Sequence, residues 1–338
     1  MPRAYDSDPI DGLEKDLATR GIECVKERFR VPSCPQISSS AGYLCGAAGA
    51  FLLVAGHTSV SFFAGLAGAV LLLLEACGFS PLDWLGPKGP RSALVVPGTF
   101  SEKERKALFL AVPLRCHFTG KGYFSSGAAF RRAFECFGLI LSFSVPVLAG
   151  SATLLYLQPN ATAGVLVGSA LAALAASRWF FGESAPEVRN LAVEWLDRWL
   201  LGAAHGFQPF VFIYSGEVAE VKFFLAKYRH PLFRGNGVFI EFAEVARGQA
   251  AASIAEGGFL LPYRVEPALL SRVRDTAREA GLSDLRTTVL RFPSGALAAI
   301  ARGFKAVTIF RMENSRGGAE ILQWEACIRW VGEILKRF

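Results

Sequence analysis

Few residues in this chain are of the kind that does chemistry, and their spacing serves chemistry poorly. The histidines are His57, His117, His205 and His230, and none is followed two residues later by Asp. No Glu-Glu dipeptide occurs. Zinc takes imidazole nitrogens or carboxylate oxygens at about 2.0–2.2 Å. Glu187, Glu217, Glu241 and Glu244 are the carboxylates that could gather around one ion, and His117 could add a single nitrogen. The plainer reading of the same residues is solvated or hydrogen-bonded surface carboxylates. Cys116-His117 suggests a thiol–imidazole pair, but neighbours on a strand point to opposite faces. The seven cysteines form no Cys-x-x-Cys pair and read as reduced, structural thiols. The sequence has no Gly-x-Ser-x-Gly elbow, no Walker loop and no dinucleotide fingerprint.

The elements that must position these residues are set by two apolar runs. Phe137 to Ser177 contains no Asp, Glu, Lys or Arg. A bilayer core takes about 20 apolar residues per helical pass. The run is about twice that and is broken by Gln158-Pro159-Asn160, a turn signal. It reads as a transmembrane helical hairpin, Phe137–Leu157 and Ala161–Ser177. Val31 to Leu74 repeats the arrangement, with arms Ala41–Gly56 and Ser59–Leu74 around His57-Thr58. Four membrane passes are therefore expected. The runs interrupt one soluble domain built from residues 1–40, 79–132 and 182–338, with hairpin 1 at 41–78 and hairpin 2 at 133–181. No ionisable group lies mid-membrane, where an ion or proton pathway would need one.

The chain is 52% hydrophobic and 19% charged, with net charge +7 and pI about 9.1. No Lys/Arg block with interleaved aromatics points to nucleic acid. The basic residues flank the apolar runs instead: Arg28, Arg30, Lys88 and Arg91 around the first, Arg131, Arg132 and Arg178 around the second. Neither turn carries Lys or Arg. The positive-inside rule then places the soluble domain in the cytoplasm of an integral protein, as in a bacterial inner membrane. The opening residues are acidic and polar, without the pattern of a signal peptide.

Outside the hairpins, helical and strand patterns alternate. Strands are expected at Ile22–Val31, Ser92–Val96, Ala107–Leu114, Pro209–Tyr214, Val238–Phe242, Ala251–Ile254, Thr287–Arg291 and Ala306–Phe310. Helices are expected at Ile10–Arg20, Pro186–Leu201, Glu217–Arg229, Pro267–Ala280, Ser294–Arg302 and Glu320–Lys336. Pro81–Pro90 reads as a loop. The fold class is α/β, a mixed sheet flanked by helices and interrupted by the two hairpins.

The order of these elements resembles a family. Gly21-Ile22-Glu23 leading into a strand, Phe210 to Glu217 ending in Ser-Gly-Glu, and the helix–Gly–strand unit Ser294 to Thr308 are similar to zinc-dependent aminopeptidases of the M28 type. The interrupted layout resembles their membrane-inserted branch. The resemblance implies a peptidase-like fold and two zinc ions on five ligands. The residues at the matching positions do not supply them. The His-x-Asp pair falls on Val112 and Leu114, or in another register on His117 and Thr119. The bridging Asp falls near Pro186, the Glu-Glu pair after Gly216 on Glu217 and Val218, and the next Asp on Ala243. No His follows His230. The expectation is an inactive, peptidase-like binding or scaffold protein without cofactor, whose partners are the bilayer and a protein or peptide, not nucleic acid. Two alternatives stay open. One is a metallo-aminopeptidase with a rearranged zinc site around Glu217 and Glu241. The other is an accessory subunit of a membrane complex or transporter.

The charge pattern makes a topology prediction. Cysteine labels at Gln158 and at Glu325 should react from opposite sides of the membrane. Equal reactivity of both from outside would reverse the orientation.

Overall fold

The computed structural model describes residues 9–32, 37–77, 81–82, 88–98, 107–116, 126–155, 161–180, 188–189, 209–216, 218–227, 237–243, 249–257, 262–282, 285–290, 294–312, 326 and 329–334. The soluble part is a mixed sheet with helices on both faces. Its strands are β1 (Val25–Pro32), β2 (Lys88–Val96), β3 (Ala107–Pro113), β6 (Phe210–Tyr214), β7 (Gly237–Phe242), β8 (Gln249–Gly257), β9 (Pro262–Arg264), β10 (Arg286–Leu290) and β11 (Lys305–Met312). The spatial order is β1-β2-β6-β3-β7-β11-β8-β10, with β9 beside β8. A separate ribbon pairs β4 (Arg115–Cys116) with β5 (Val188–Arg189).

The centre of the sheet is parallel: β6, β3, β7 and β11 run the same way. All seven residues of β3, Ala-Leu-Phe-Leu-Ala-Val-Pro, are buried, as a strand covered on both faces requires. Alternate residues feed two cores. Leu108, Leu110, Val112, Val211, Ile213, Ile240 and Ile309 meet helix α1 (Pro9–Thr19), helix α7 (Pro267–Glu279) and the C-terminal turns around Trp330. The Trp330 indole N–H reaches the Val273 carbonyl at 3.1 Å and ties that segment to α7. Phe109, Phe212, Tyr214 and Phe239 meet helix α6 (Val218–Lys227) and helix α8 (Gly295–Ile300) on the other face. There Phe212 stacks on Phe224 with ring centroids 4.2 Å apart. Phe210, at the start of β6, is only half-buried and stacks on Phe109.

Four apolar helices form one bundle: α2 (Ile37–Val54), α3 (Thr58–Ala76), α4 (Ser126–Leu155) and α5 (Ala161–Phe180). The inner contacts are made by small residues, which let backbones approach where no water drives association. A Cβ added at Gly68 would lie 2.6 Å from the Gly42 carbonyl oxygen, and one at Gly49 would lie 2.9 Å from the Gly65 nitrogen. The Ser61 hydroxyl donates across the same interface to the Gly49 carbonyl at 2.7 Å. Large apolar residues such as Phe63, Ile140, Val147 and Leu154 point outward. Three helices are long and apolar enough to cross a membrane: Ile37–Val54, Thr58–Ala76 and Cys136–Leu155. The expected fourth pass lies on α5, along which Ala161–Ala176 is a shorter apolar helix.

Several boundaries differ from expectation. The expected helix at Pro186–Leu201 is overruled at Val188–Arg189, which pair as a strand with Cys116 and Arg115; long-range pairing beats local periodicity there. The Pro81–Pro90 loop ends early, because β2 begins at Lys88. Pro90 is tolerated since β6 pairs only with Leu94–Val96, so the missing N–H interrupts no inner ladder. Helix α4 starts at Ser126 and takes Arg131 and Arg132 into the helix. The short β4, β5 and β9 lack any run long enough to announce a strand. Gly281 and Gly303, expected to stop helices, do so at φ +88° and +85°.

One consequence of strand directions bears on function. Since β1 is antiparallel to β2, and β2 to β6, β1 runs with the parallel centre. Its end at Pro32 therefore lies at the carboxyl edge of β3, β6, β7 and β11. The first helical hairpin leaves from that edge and returns to it at Lys88. The second follows β3 by way of β4 and returns through β5. Both membrane hairpins grow from the carboxyl edge of the parallel strands.

The packing of Phe212 sets a test. Phe212→Ala should lower stability by about 3–5 kcal/mol, read as a denaturant midpoint. A change within error would show that the stack on Phe224 is not part of the core.

Candidate functional site

In open α/β sheets ligands bind outside the carboxyl ends of the strands. The described residues at this edge are Pro113 and Leu114 after β3, Tyr214 to Gly216 after β6, and Glu241 to Ala243 on β7. Register sets which side chains meet. Ala111 pairs with Phe212 on one side and with Glu241 on the other, and Glu241 pairs with Thr308. Phe212, Ala111, Glu241 and Thr308 thus form a row on one face, and Tyr214 stands one pleat beyond Phe212.

Glu241 is buried, with relative exposure 1%. Its carboxylate accepts from the Tyr214 hydroxyl at 2.5 Å, the Ala296 N–H at 3.0 Å and the Thr308 hydroxyl at 3.2 Å. The Gly295 N–H is a further backbone donor. An ionised carboxyl has about four lone-pair sites. Those of Glu241 are engaged, which leaves it no oxygen to offer a metal. Gly295 permits the approach, since a Cβ there would lie 2.7 Å from the Glu241 Oε1.

Glu256 is fully buried next to it. It accepts from the Ser253 and Ser294 hydroxyls and from the Thr308 N–H at 2.8 Å. Ser294 in turn caps α8, its oxygen accepting from the Leu297 N–H at 2.9 Å. Thr308 joins the two carboxyls, giving its hydroxyl to Glu241 and its N–H to Glu256. A third buried acid, Glu220 on α6, accepts from the Ser215 N–H at 2.8 Å and hydroxyl at 2.6 Å, and Arg91 lies 3.9 Å away. It fixes the turn from β6 into α6.

Burial raises the carboxyls of both Glu241 and Glu256 above the usual range. The hydroxyl and amide donors oppose this, and for Glu256 the neighbouring Glu241 adds to the rise. The donor pattern suits ionised groups, but the loss of water around two close carboxyls outweighs it.

Of the candidate cleft residues His117, Glu187, Glu217, Glu241 and Glu244, the structure describes Glu241 alone. His117, Glu187, Glu217 and Glu244, with Thr119 and Pro186, lie outside the described residues. Val112, Leu114, Val218 and Ala243, where the resemblance would put zinc ligands, are apolar. Val112 sits on the opposite face from Glu241, in the core under α1 and α7. Among the described residues no three His, Cys, Asp or Glu side chains are grouped as a metal would need. The described residues by themselves do not make up a two-zinc site. Glu256, Glu220, Tyr214 and Thr308 went unnoticed in the sequence. The available signal was a lone Glu inside an apolar strand, as in Phe-Ile-Glu-Phe and Ile-Ala-Glu-Gly.

These raised values fix the sign of a pH effect. A carboxyl that holds its proton more tightly when folded adds stability below the unfolded value of about 4.3. That gain is lost as pH rises through the raised value. Glu256→Gln should therefore gain stability relative to the parent protein as pH rises above about 4.3, read as paired thermal unfolding curves in detergent. A difference that stays flat, or runs the other way, would show that Glu256 is comfortably ionised.

No family model matches the sequence, and no curated protein matches it. Among solved structures, the fold is similar to a zinc-dependent exopeptidase from Parabacteroides distasonis, with 10% identity and TM-score 0.42 over 97% of this chain and 88% of that one.

Proposed function

We propose that this chain is a membrane-anchored α/β protein that binds or scaffolds a protein or peptide partner and does not hydrolyse it. The observation that carries this reading is what occupies the carboxyl edge. Val112, Leu114, Val218 and Ala243 bring no donor atom there. Glu241 is committed to Tyr214, Thr308 and the start of α8. Two divalent ions bring four positive charges, and they need ionised oxygens and neutral imidazoles in place of their hydration shell. The described residues at this edge supply neither. Among the described acids, Glu241 and Glu256 are built into the fold as clamps between strands.

The direction of the hairpins supports the membrane part of the reading. Both leave from the carboxyl edge, and three of their helices have the length and apolarity of a membrane pass. A partner would reach this edge from beside the bilayer. A segment emerging from the membrane has the shortest route there. The positive-inside pattern puts the domain on the cytoplasmic side.

The test is elemental analysis of protein purified without chelator, together with an aminopeptidase assay. The expected result is no stoichiometric zinc and no hydrolysis. One or more tightly bound zinc ions per chain, with hydrolysis abolished by Glu217→Gln, would replace this reading by an enzyme with a rearranged site.

A further inference from the structure

The foot of the first hairpin carries cations without an ion-pair partner among the described residues. Along β1 and β2, cross-strand partners share a face, and Arg28 pairs with Ser92, Arg30 with Pro90, and Pro32 with Lys88. Arg28, Arg30 and Lys88 therefore form a row on one face of the ribbon, and all three are exposed. Two described acids of this region are engaged with other cations, Asp11 with Lys26 and Glu27 with Lys227. Arg28, Arg30 and Lys88 make no ion pair among the described residues.

The row ends at the membrane. Only residues 33–36 separate Pro32 from the start of α2 at Ile37. The Leu82 N–H donates to the Ser38 hydroxyl at 3.0 Å, which holds the returning chain against the same helix end. Within the row, Lys88 is the cation nearest the bundle. Arg28 lies four residues farther along the ribbon, about 13 Å at the usual strand rise. The foot of the second hairpin repeats the pattern in its register, where Arg115 is the direct partner of Arg189.

We infer that the row Arg28–Arg30–Lys88 is a binding surface for anionic phospholipid headgroups, and that it seats the carboxyl edge of the sheet on the bilayer. The inference rests on the membrane reading above. Headgroup phosphates lie at the depth where the apolar helices end, which is where this row begins. Attraction to an anionic surface fades within a Debye length of about 8–10 Å. Lys88 and Arg30 therefore contribute more than Arg28.

The experiment uses the full chain in mixed phosphatidylcholine–phosphatidylglycerol vesicles, with a trace of either lipid spin-labelled. The readout is the relative association of each with the protein boundary. The expected result is preference for phosphatidylglycerol. Each cation near the surface is worth up to about fivefold, and the preference shrinks as salt is raised. Lys88→Gln should remove more of it than Arg28→Gln, and the triple Arg28→Gln/Arg30→Gln/Lys88→Gln variant should remove most. Lys88→Gln alone, at the first residue of β2, serves if the triple variant does not fold. Equal association of both lipids, or a preference that survives Lys88→Gln and the folded triple variant, would overturn the inference. So would competition by millimolar inorganic phosphate at constant ionic strength, which would mark a site for a soluble anion. Loss of boundary signal from both lipids would instead sink the membrane reading, and this inference with it.

Discussion

Two carboxyls buried side by side, with no cation facing them among the described residues, are the constraint around which the sheet is assembled. Removing Glu241 and Glu256 from water is unfavourable by several kcal/mol each unless donors take water's place. The donors come from β6, β8, β11 and the start of α8. Those elements are distant in sequence and must be in register together before either carboxyl is satisfied. Thr308 is the hinge of the arrangement, since its hydroxyl serves one acid and its N–H the other. Gly295 is the residue that lets the helix start come close enough. A network of this kind specifies one arrangement of strands more than it adds stability.

The same constraint keeps Glu241 from acting as a metal ligand. A carboxylate at a strand end can bind a metal only if its oxygens are open on one side. Glu241 is closed on every side by Tyr214, Thr308 and two backbone amides. Among the described residues, the buried acids Glu241, Glu256 and Glu220 work inward, as fasteners.

Much of the fold was legible in the sequence because its signals are local. The run Ala107 to Pro113 declares a buried strand by composition. Gly281 and Gly303 declare helix ends, and Ser294 declares a cap. The two hairpins declare themselves by the absence of charge over lengths that no soluble core of this size would hide. What stayed hidden was set by distance. Val188–Arg189 becomes a strand only because Arg115–Cys116 lies opposite. Glu256 belongs to a strand whose expected end, Ile254, stopped two residues short of it. Nothing near Tyr214 in the chain says that its hydroxyl meets Glu241. The extent of α4 was missed because Arg131 and Arg132 look like a boundary, although a helix crosses an interface without ending there.

The place of β3 carries a consequence for how the chain is made. It lies between β6 and β7, and both are synthesised after the second hairpin. When Ala107–Pro113 leaves the ribosome, neither neighbour exists. At ordinary rates of elongation that gap lasts on the order of ten seconds. An apolar strand with two open edges is the kind of segment that aggregates. During that interval the first hairpin can already be in the bilayer, tethering the waiting strand to a surface and away from other copies. Insertion of the second hairpin then brings its two ends together, so the long detour between β3 and β6 closes like a short loop. The bilayer would thus act on the soluble domain first as a scheduler, setting the order in which its strands can find one another.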